Sequence, residues 1–223
     1  MNIAIDGPAG AGKSTIAKRI ARKMGSIYVD TGAMYRAMAL FMIKNGILPE
    51  DAESIEKACE NADISIAYQD GAQHVILNGE DVTECLRTEE VGNMASATSV
   101  NKKVRAKLVR AQQDLARKTS VVMDGRDIGT VVLPDADVKI YLTASVETRA
   151  ERRYKELIEK GQEADLQAIA NDIRDRDYRD MNREHSPLRQ AEDAVLVDSS
   201  DMTIEEVVNR ILEISDQRSF RKA

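Results

Sequence analysis

A short apolar run, Ile3-Ala4-Ile5, ends at Asp6 and passes straight into Gly7-Pro8-Ala9-Gly10-Ala11-Gly12-Lys13-Ser14. The spacing G-x-x-x-x-G-K-S after a strand, followed by Ile16, Ala17, Ile20 and Ala21 at helical intervals, is the strand–loop–helix of a phosphate-binding loop. The glycines let the backbone turn its N–H groups inward. Lys13 can reach the outer phosphates of a nucleoside triphosphate, and the Ser14 hydroxyl can hold Mg²⁺. The helix beginning near Lys13 adds its positive dipole end.

At 223 residues the chain is long enough for one domain with inserted subdomains. Hydrophobic residues make up 43% and charged residues 31%, as in an ordinary globular protein. A net charge of −6 disfavours a broad nucleic-acid-binding face. No apolar run reaches membrane-spanning length, and no secretory leader precedes the phosphate loop, so a cytoplasmic location is expected. Cys59 and Cys85 lack metal-ligand spacing and read as free thiols in a reducing compartment. His74 and His185 stand alone and read as surface or loop residues.

Further short strands are expected at Ile27-Tyr28-Val29, Val121-Val122-Met123, Lys139-Ile140-Tyr141-Leu142 and Val195-Leu196-Val197. With helices between them they imply an α/β fold: a five-stranded parallel sheet in a three-layer arrangement. Helices are expected over 32–44, 50–61, 87–98, 101–117, 145–160, 163–184 and 203–214, with a frayed tail from Arg218 to Ala223. Between them, Ile64 to Tyr68, a turn at Gln69-Asp70-Gly71-Ala72, His74 to Leu77, an Asn78-Gly79 turn and Glu80-Asp81-Val82 read as a small antiparallel meander. It marks residues 63–100 as an insert. The core is then 1–62, 101–148 and 185–217, with a helical lid at 149–184.

A phosphate loop alone does not separate kinases, GTPases and motor ATPases. Asn101-Lys102-Lys103-Val104 lacks the aspartate of a guanine-reading N-K-x-D and sits in a helical stretch. Asp124 ends a buried-type strand. There it serves either as a carboxylate holding Mg²⁺ through water or as a turn former. In Gly125-Arg126-Asp127-Ile128-Gly129, Arg126 can grip a phosphate with two N–H groups, and Asp127 can accept from an amino group or a hydroxyl; the alternative is a surface ion pair. Thr31 can cap a helix and offer its hydroxyl to a phosphate that Arg36 also reaches. Residues 149–183 hold nine basic and nine acidic residues, which solvated helices explain. Yet arginine outnumbers lysine seven to two there. Arginine suits planar phosphate recognition, and a helical hairpin bearing it would make a lid that excludes water.

Taken together, the chain resembles the bacterial cytidylate kinases, of the nucleoside monophosphate kinase group. The likeness rests on I-D-G-P-A-G-A-G-K-S-T at 5–15, D-T-G-A-M-Y-R at 30–36, V-I-L-N-G-E-D-V at 75–82, R-T-E-E-V at 87–91, D-G-R-D-I-G-T-V-V at 124–132 and R-D-R-D-Y-R-D-M-N-R at 174–183. The insert after residue 62 separates that family from adenylate kinases. The resemblance implies ATP contacts at Gly7, Pro8, Ala9, Gly10, Ala11, Gly12, Lys13, Ser14 and Thr15. It implies acceptor-phosphate contacts at Thr31, Arg36 and Arg126, where Thr31 replaces a more usual serine. It implies cytosine readers at Ser96, Arg105 and Asp127, and ribose and phosphate contacts at Arg176, Asp180 and Arg183. Catalytic charge falls to Lys13, Arg126 and lid arginines between 149 and 183, of which Arg153 is the candidate taken, with Mg²⁺ near Ser14 and Asp124. CMP and dCMP are the implied acceptors, ATP the donor, and the implied enzyme is monomeric and cytoplasmic, with neither nucleic acid nor membrane as partner.

The chemistry agrees with this expectation. Cytosine's exocyclic amine suits the Asp127 carboxylate, whereas uracil presents a carbonyl there. The nucleophile is an ionised phosphate oxygen, so catalysis reduces to alignment and charge neutralisation. Two competing readings are a small kinase acting on an alcohol, with Asp127 as general base, and a nucleotide-binding regulator that hydrolyses slowly. The long insert opposes the first. The arginine-rich lid and Asp124–Asp127 oppose the second.

Overall fold

Residues 1–69 and 71–222 are described by a computed structural model, residues 219–222 by their backbone alone. The first half holds β1 (Ile3–Asp6), α1 (Lys13–Met24), β2 (Ile27–Asp30), α2 (Thr31–Lys44), α3 (Ala52–Asn61), β3 (Ile64–Gln69), β4 (Ala72–Leu77), β5 (Glu80–Asp81), α4 (Glu89–Thr98) and α5 (Lys102–Lys118). There follow β6 (Val121–Gly125), β7 (Val138–Thr143), α6 (Val146–Glu159), α7 (Leu166–Asn182), β8 (Val195–Asp198) and α8 (Ile204–Lys222). The chain forms two compact units, Met1–Tyr28 with Ser120–Ala223, and Val29–Thr119.

The expected five strands make one parallel sheet in the order β2-β6-β1-β7-β8. Every residue of β1 is buried, as parallel strands covered on both faces require. In the first unit, Ile3, Ile5, Val122, Ile140 and Leu142 pack with Ile16 and Ile20 of α1 and with Val207, Val208 and Ile211 of α8. Burying each such side chain contributes about 1.5–3 kcal/mol. The register places Asp6 beside Gly125 of β6 and Tyr141 of β7. The loops after β1 and β6 therefore leave the sheet at the same level. The strand order reverses at β1, which is where open α/β sheets place their ligands.

The second unit has a separate antiparallel sheet, β3-β4-β5. Asn78 and Gly79 both take positive φ, 49° and 87°, as a tight hairpin between β4 and β5 requires. The turn expected at 69–72 includes Asp70, which lies outside the described residues. Met34, Met38 and Met42 of α2 form a core with Leu77, Leu86, Val91 and Leu108. The unit spans more than the 63–100 stretch read as an insert, taking in α2, α3 and α5. Asn101 caps α5, its side chain accepting from Lys103 N and Val104 N, which explains the Asn-Lys-Lys string without a guanine site.

Two details differ from the sequence reading, and a third lies where it assigned no element. The cap of α2 is Asp30, whose carboxylate accepts from Ala33 N at 3.0 Å, whereas Thr31 is already helical. An anionic cap also gains from the helix dipole, which a hydroxyl does not. Residues 128–132 form a π-type turn, with Val132 N donating to Asp127 O at 3.2 Å and Leu133 N to Ile128 O at 2.6 Å. Finally, α8 does not fray at Arg218 but stays helical to Lys222, while Ala223 lies outside the described residues. Its inner stripe of Val207, Val208, Ile211 and Ile214 is buried, and Arg218 Nη2 donates to Asp193 O at 2.6 Å.

Candidate active site

The loop's shape is forced by its first glycine. Gly7 has φ +149°, and a Cβ there would lie 1.9 Å from the Leu142 carbonyl oxygen of β7. Only glycine lets the backbone leave the sheet so close to a neighbouring strand. At the loop's end Lys13 is almost fully buried, and its Nζ donates to Pro8 O at 2.7 Å. Burial, and next the Arg126 guanidinium, bring its ammonium down to about 7, while Asp124 and Asp6 pull the other way. A buried cation beside a second one is costly, and the nearby carboxylates offset that cost only in part.

Ser14 Oγ donates to Asp124 Oδ2 at 2.9 Å, and the Tyr28 hydroxyl donates to Asp124 Oδ1 at 2.8 Å. The strand-end carboxylate is thus held by both oxygens beside the loop. Arg126, two residues on, donates through Nε to Asp180 Oδ2 of α7 at 2.8 Å and through Nη1 to Gly125 O at 3.3 Å. The neighbouring Asp127 is 5% exposed. Asp6, at the end of β1, accepts from Ile128 N and Gly129 N, both at 2.7 Å. Burial pushes its carboxyl up to about 6, although those two amides favour the ionised form.

α6 and α7 form a helical hairpin, capped by Ser145 and Asp165. Arg149 of α6 is 3% exposed and saturated with acceptors. It donates to Ala9 O of the phosphate loop at 3.0 Å, to Ala144 O at 2.9 Å, and to both carboxylate oxygens of Asp177 on α7 at 3.0 and 2.6 Å. Removing it strands a mostly buried carboxylate and a loop carbonyl. Arg149→Ala is therefore expected to cost about 3 kcal/mol of stability, read by urea unfolding. A loss below about 1 kcal/mol would show the clasp to be as weak as a surface pair.

In the second unit Asp30 organises the start of α2. Its carboxylate pairs with Arg36 Nη2 at 3.0 Å, and its N–H donates to Gln73 Oε1 of β4 at 2.8 Å. Arg36 Nε is buried with no hydrogen-bond partner. Arg105 is 6% exposed, donates to Ser99 O at 3.3 Å, and lies 5.6 Å from the Tyr35 ring centroid. Ser96 O, in α4, accepts from Ser99 Oγ at 3.0 Å. Thr31 is buried at the first turn of α2.

The structure thus gathers Lys13, Ser14, Asp124, Arg126 and Asp180 within the first unit. Arg176 of α7 is near enough to lower the Lys13 ammonium further. Arg183, just past α7, donates through Nε to Ser186 O at 2.5 Å. Arg153 stands on the exposed side of α6 in a pair with Glu156 at 3.0 Å; the arginine that α6 turns onto the loop is Arg149, one turn earlier. Asp6, Tyr28 and Asp177 were not singled out from sequence. The available signals were an acid closing a buried strand at Asp6, and the Arg-Asp pairs repeated along 174–180.

A family model described as cytidylate kinase matches residues 3–217. The chain belongs to the cytidylate kinase family. The cytidylate kinase of Caldicellulosiruptor saccharolyticus is 54% identical over 214 residues, which cover 96% of this chain and 95% of that protein. That of Bacillus subtilis is 47% identical over 219 residues, covering 98% of each. Among solved structures, a gluconokinase from Sinorhizobium meliloti aligns at a TM-score of 0.50 with 14% identity, covering 100% of this chain and 97% of that one. At that identity the likeness shows the fold alone. This kinase family member has no helix long and apolar enough to cross a membrane among its described residues.

The residues beside the loop fit a hard divalent cation. The donors are a hydroxyl and a carboxylate, Ser14 Oγ and Asp124, already within 2.9 Å of each other. Among the described residues no group of three or more His, Cys, Asp or Glu could form an all-protein metal cage. A hydroxyl beside a carboxylate suits Mg²⁺, which keeps waters and takes one or two protein ligands together with substrate phosphates.

Proposed function

We propose that the enzyme transfers the γ-phosphoryl of ATP to the phosphate of CMP, and of dCMP, releasing ADP. One observation above all supports this reading: Lys13, buried on the phosphate loop, and Arg126, part-buried past β6, stand close enough for their positive charges to oppose each other, beside the Ser14–Asp124 pair. An anion passing between donor and acceptor phosphates would relieve that crowding. Transfer through a loose transition state needs positioned positive charge more than a base, because the attacking phosphate oxygen is already ionised at pH 7.

In this assignment Gly7 to Thr15 bind the ATP phosphates. Ser14, and Asp124 directly or through water, hold Mg²⁺, which neutralises phosphate charge when bound. Thr31, Arg36 and Arg126 take the acceptor phosphate. The orphaned Arg36 Nε supports a role in anion binding, because a buried donor without a partner is costly. Ser96, Arg105 and Asp127 read cytosine, and Arg176, Asp180 and Arg183 take ribose and phosphate. Arg153 is assigned to the transferred phosphoryl. Its exposed pair with Glu156 contributes no more than about 0–1 kcal/mol, so the side chain is released cheaply. The enzyme is taken to act as a cytoplasmic monomer without nucleic-acid or membrane partners.

The test is an acceptor panel: ADP release from ATP·Mg²⁺ with CMP, dCMP, UMP, AMP, shikimate and gluconate. Rapid turnover with CMP and dCMP, weak turnover with UMP and AMP, and none with the alcohols is expected. Turnover with an alcohol and not with CMP would reassign Asp127 to proton abstraction.

A further inference from the structure

We infer that Asp6 is a positioning residue for the reaction: from the end of β1 its carboxylate grips two consecutive amides and thereby sets where Arg126 and Asp127 stand. The inference rests on the acceptor role proposed for those two residues.

The geometry is specific. Asp6 Oδ1 accepts from Ile128 N and Oδ2 from Gly129 N, each at 2.7 Å. These are the first two residues of the π-type turn, and the next backbone unit toward the strand is Asp127. Asp127 sits at φ −145°, ψ 27°, and its carbonyl accepts from both Val131 N and Val132 N. The turn therefore points its amide donors at Asp6 and its first carbonyl at itself. A change at Asp6 displaces the Arg126-Asp127 segment, which joins that turn to β6.

The surroundings leave little slack. A Cβ on Gly129 would lie 3.3 Å from Asp6 Oδ2 and 3.2 and 3.4 Å from Lys139 Cδ and Cγ of β7. Lys139 is itself buried and anchored by Nζ to Asp193 at 2.9 Å. Gly129 is thus wedged between the carboxylate and a fixed aliphatic stem. Structural convenience alone explains this arrangement poorly. Asp6 is 5% exposed and carries Asp127 as a like-charged neighbour, so an ionised group there is expensive. Among side chains of this length only a carboxylate offers two separate acceptor oxygens, one for each of the two N–H groups.

The test is Asp6→Asn. The amide keeps the volume and one acceptor but presents N–H to the second amide. The turn must shift, and a displacement of about 1 Å at reacting groups costs about 10²-fold in rate. The expected result is an unchanged circular dichroism spectrum, kcat about 10²-fold lower, KM for ATP nearly unchanged, and reduced preference for CMP over UMP. Wild-type kcat and preference in the folded variant would overturn the inference. If Asp6→Asn does not fold, Gly129→Ala decides, since its Cβ presses the same contact without altering charge. Lower kcat with KM for ATP preserved supports positioning; wild-type kinetics, or an equal loss of ATP binding, overturns it. Arg126→Ala separates the two levels. If Arg126→Ala is fully active, the acceptor reading itself fails. If it is inactive while Asp6→Asn is fully active, only the positioning role falls.

Discussion

Arg126→Ala is expected to lower kcat with CMP on the order of 10³-fold, the scale at which an internal arginine contributes to phosphoryl transfer. The side chain is 20% exposed, and its Nε is already occupied by Asp180. Nη1 also reaches Gly125 O, which leaves its second N–H and those of Nη2 as a fork suited to a phosphate. The fold should survive, because the loss removes no core volume, although Asp180, 17% exposed, loses its partner and some stability goes with it. Arg126→Lys should restore part of the rate, since charge returns but the planar fork does not. A coupled assay of ADP release, beside a thermal melt, checks this. Near wild-type turnover of the alanine variant would remove Arg126 from the reaction.

Asp127→Asn should change which base is accepted. The carboxylate is buried, and a buried acceptor facing cytosine's amine penalises uracil, whose carbonyl has nothing to donate. Sites built this way discriminate by as much as about 10⁴-fold. Asparagine can present N–H to uracil's carbonyl, so the ratio of kcat/KM for CMP to that for UMP should fall by on the order of 10²-fold or more. A ratio left unchanged would mean that the base is read elsewhere, with Arg105 and Ser96 the next candidates.

The sequence was most informative where backbone geometry restricts residue choice. Gly7 must be glycine because β7 passes within contact distance, and that requirement is what makes the phosphate loop visible in the chain. The meander was legible for the same reason, through Asn78 and Gly79 at positive φ. Five apolar runs bounded by turns gave away the parallel sheet. The buried ends of interactions were harder to see. Thr31 and Asp30 are both good caps by type, and only the strand's exit direction decides between them. Ile128-Gly129-Thr130-Val131-Val132 is rich in β-branched residues, yet it forms a π-type turn because Asp6, 122 residues away in the chain, holds its first amides. Arg149 and Arg153 share one helix face by spacing, and nothing in that spacing says which meets Asp177. Partners distant in sequence decide such questions.

In the proposed reaction the phosphoryl passes directly from one nucleotide phosphate to another. ³¹P NMR of the enzyme with ATP·Mg²⁺ and CMP tests it most directly. CDP and ADP should appear in equal amounts, with inorganic phosphate negligible whether or not CMP is present. ADP and inorganic phosphate accumulating together, at a rate indifferent to CMP, would contradict it.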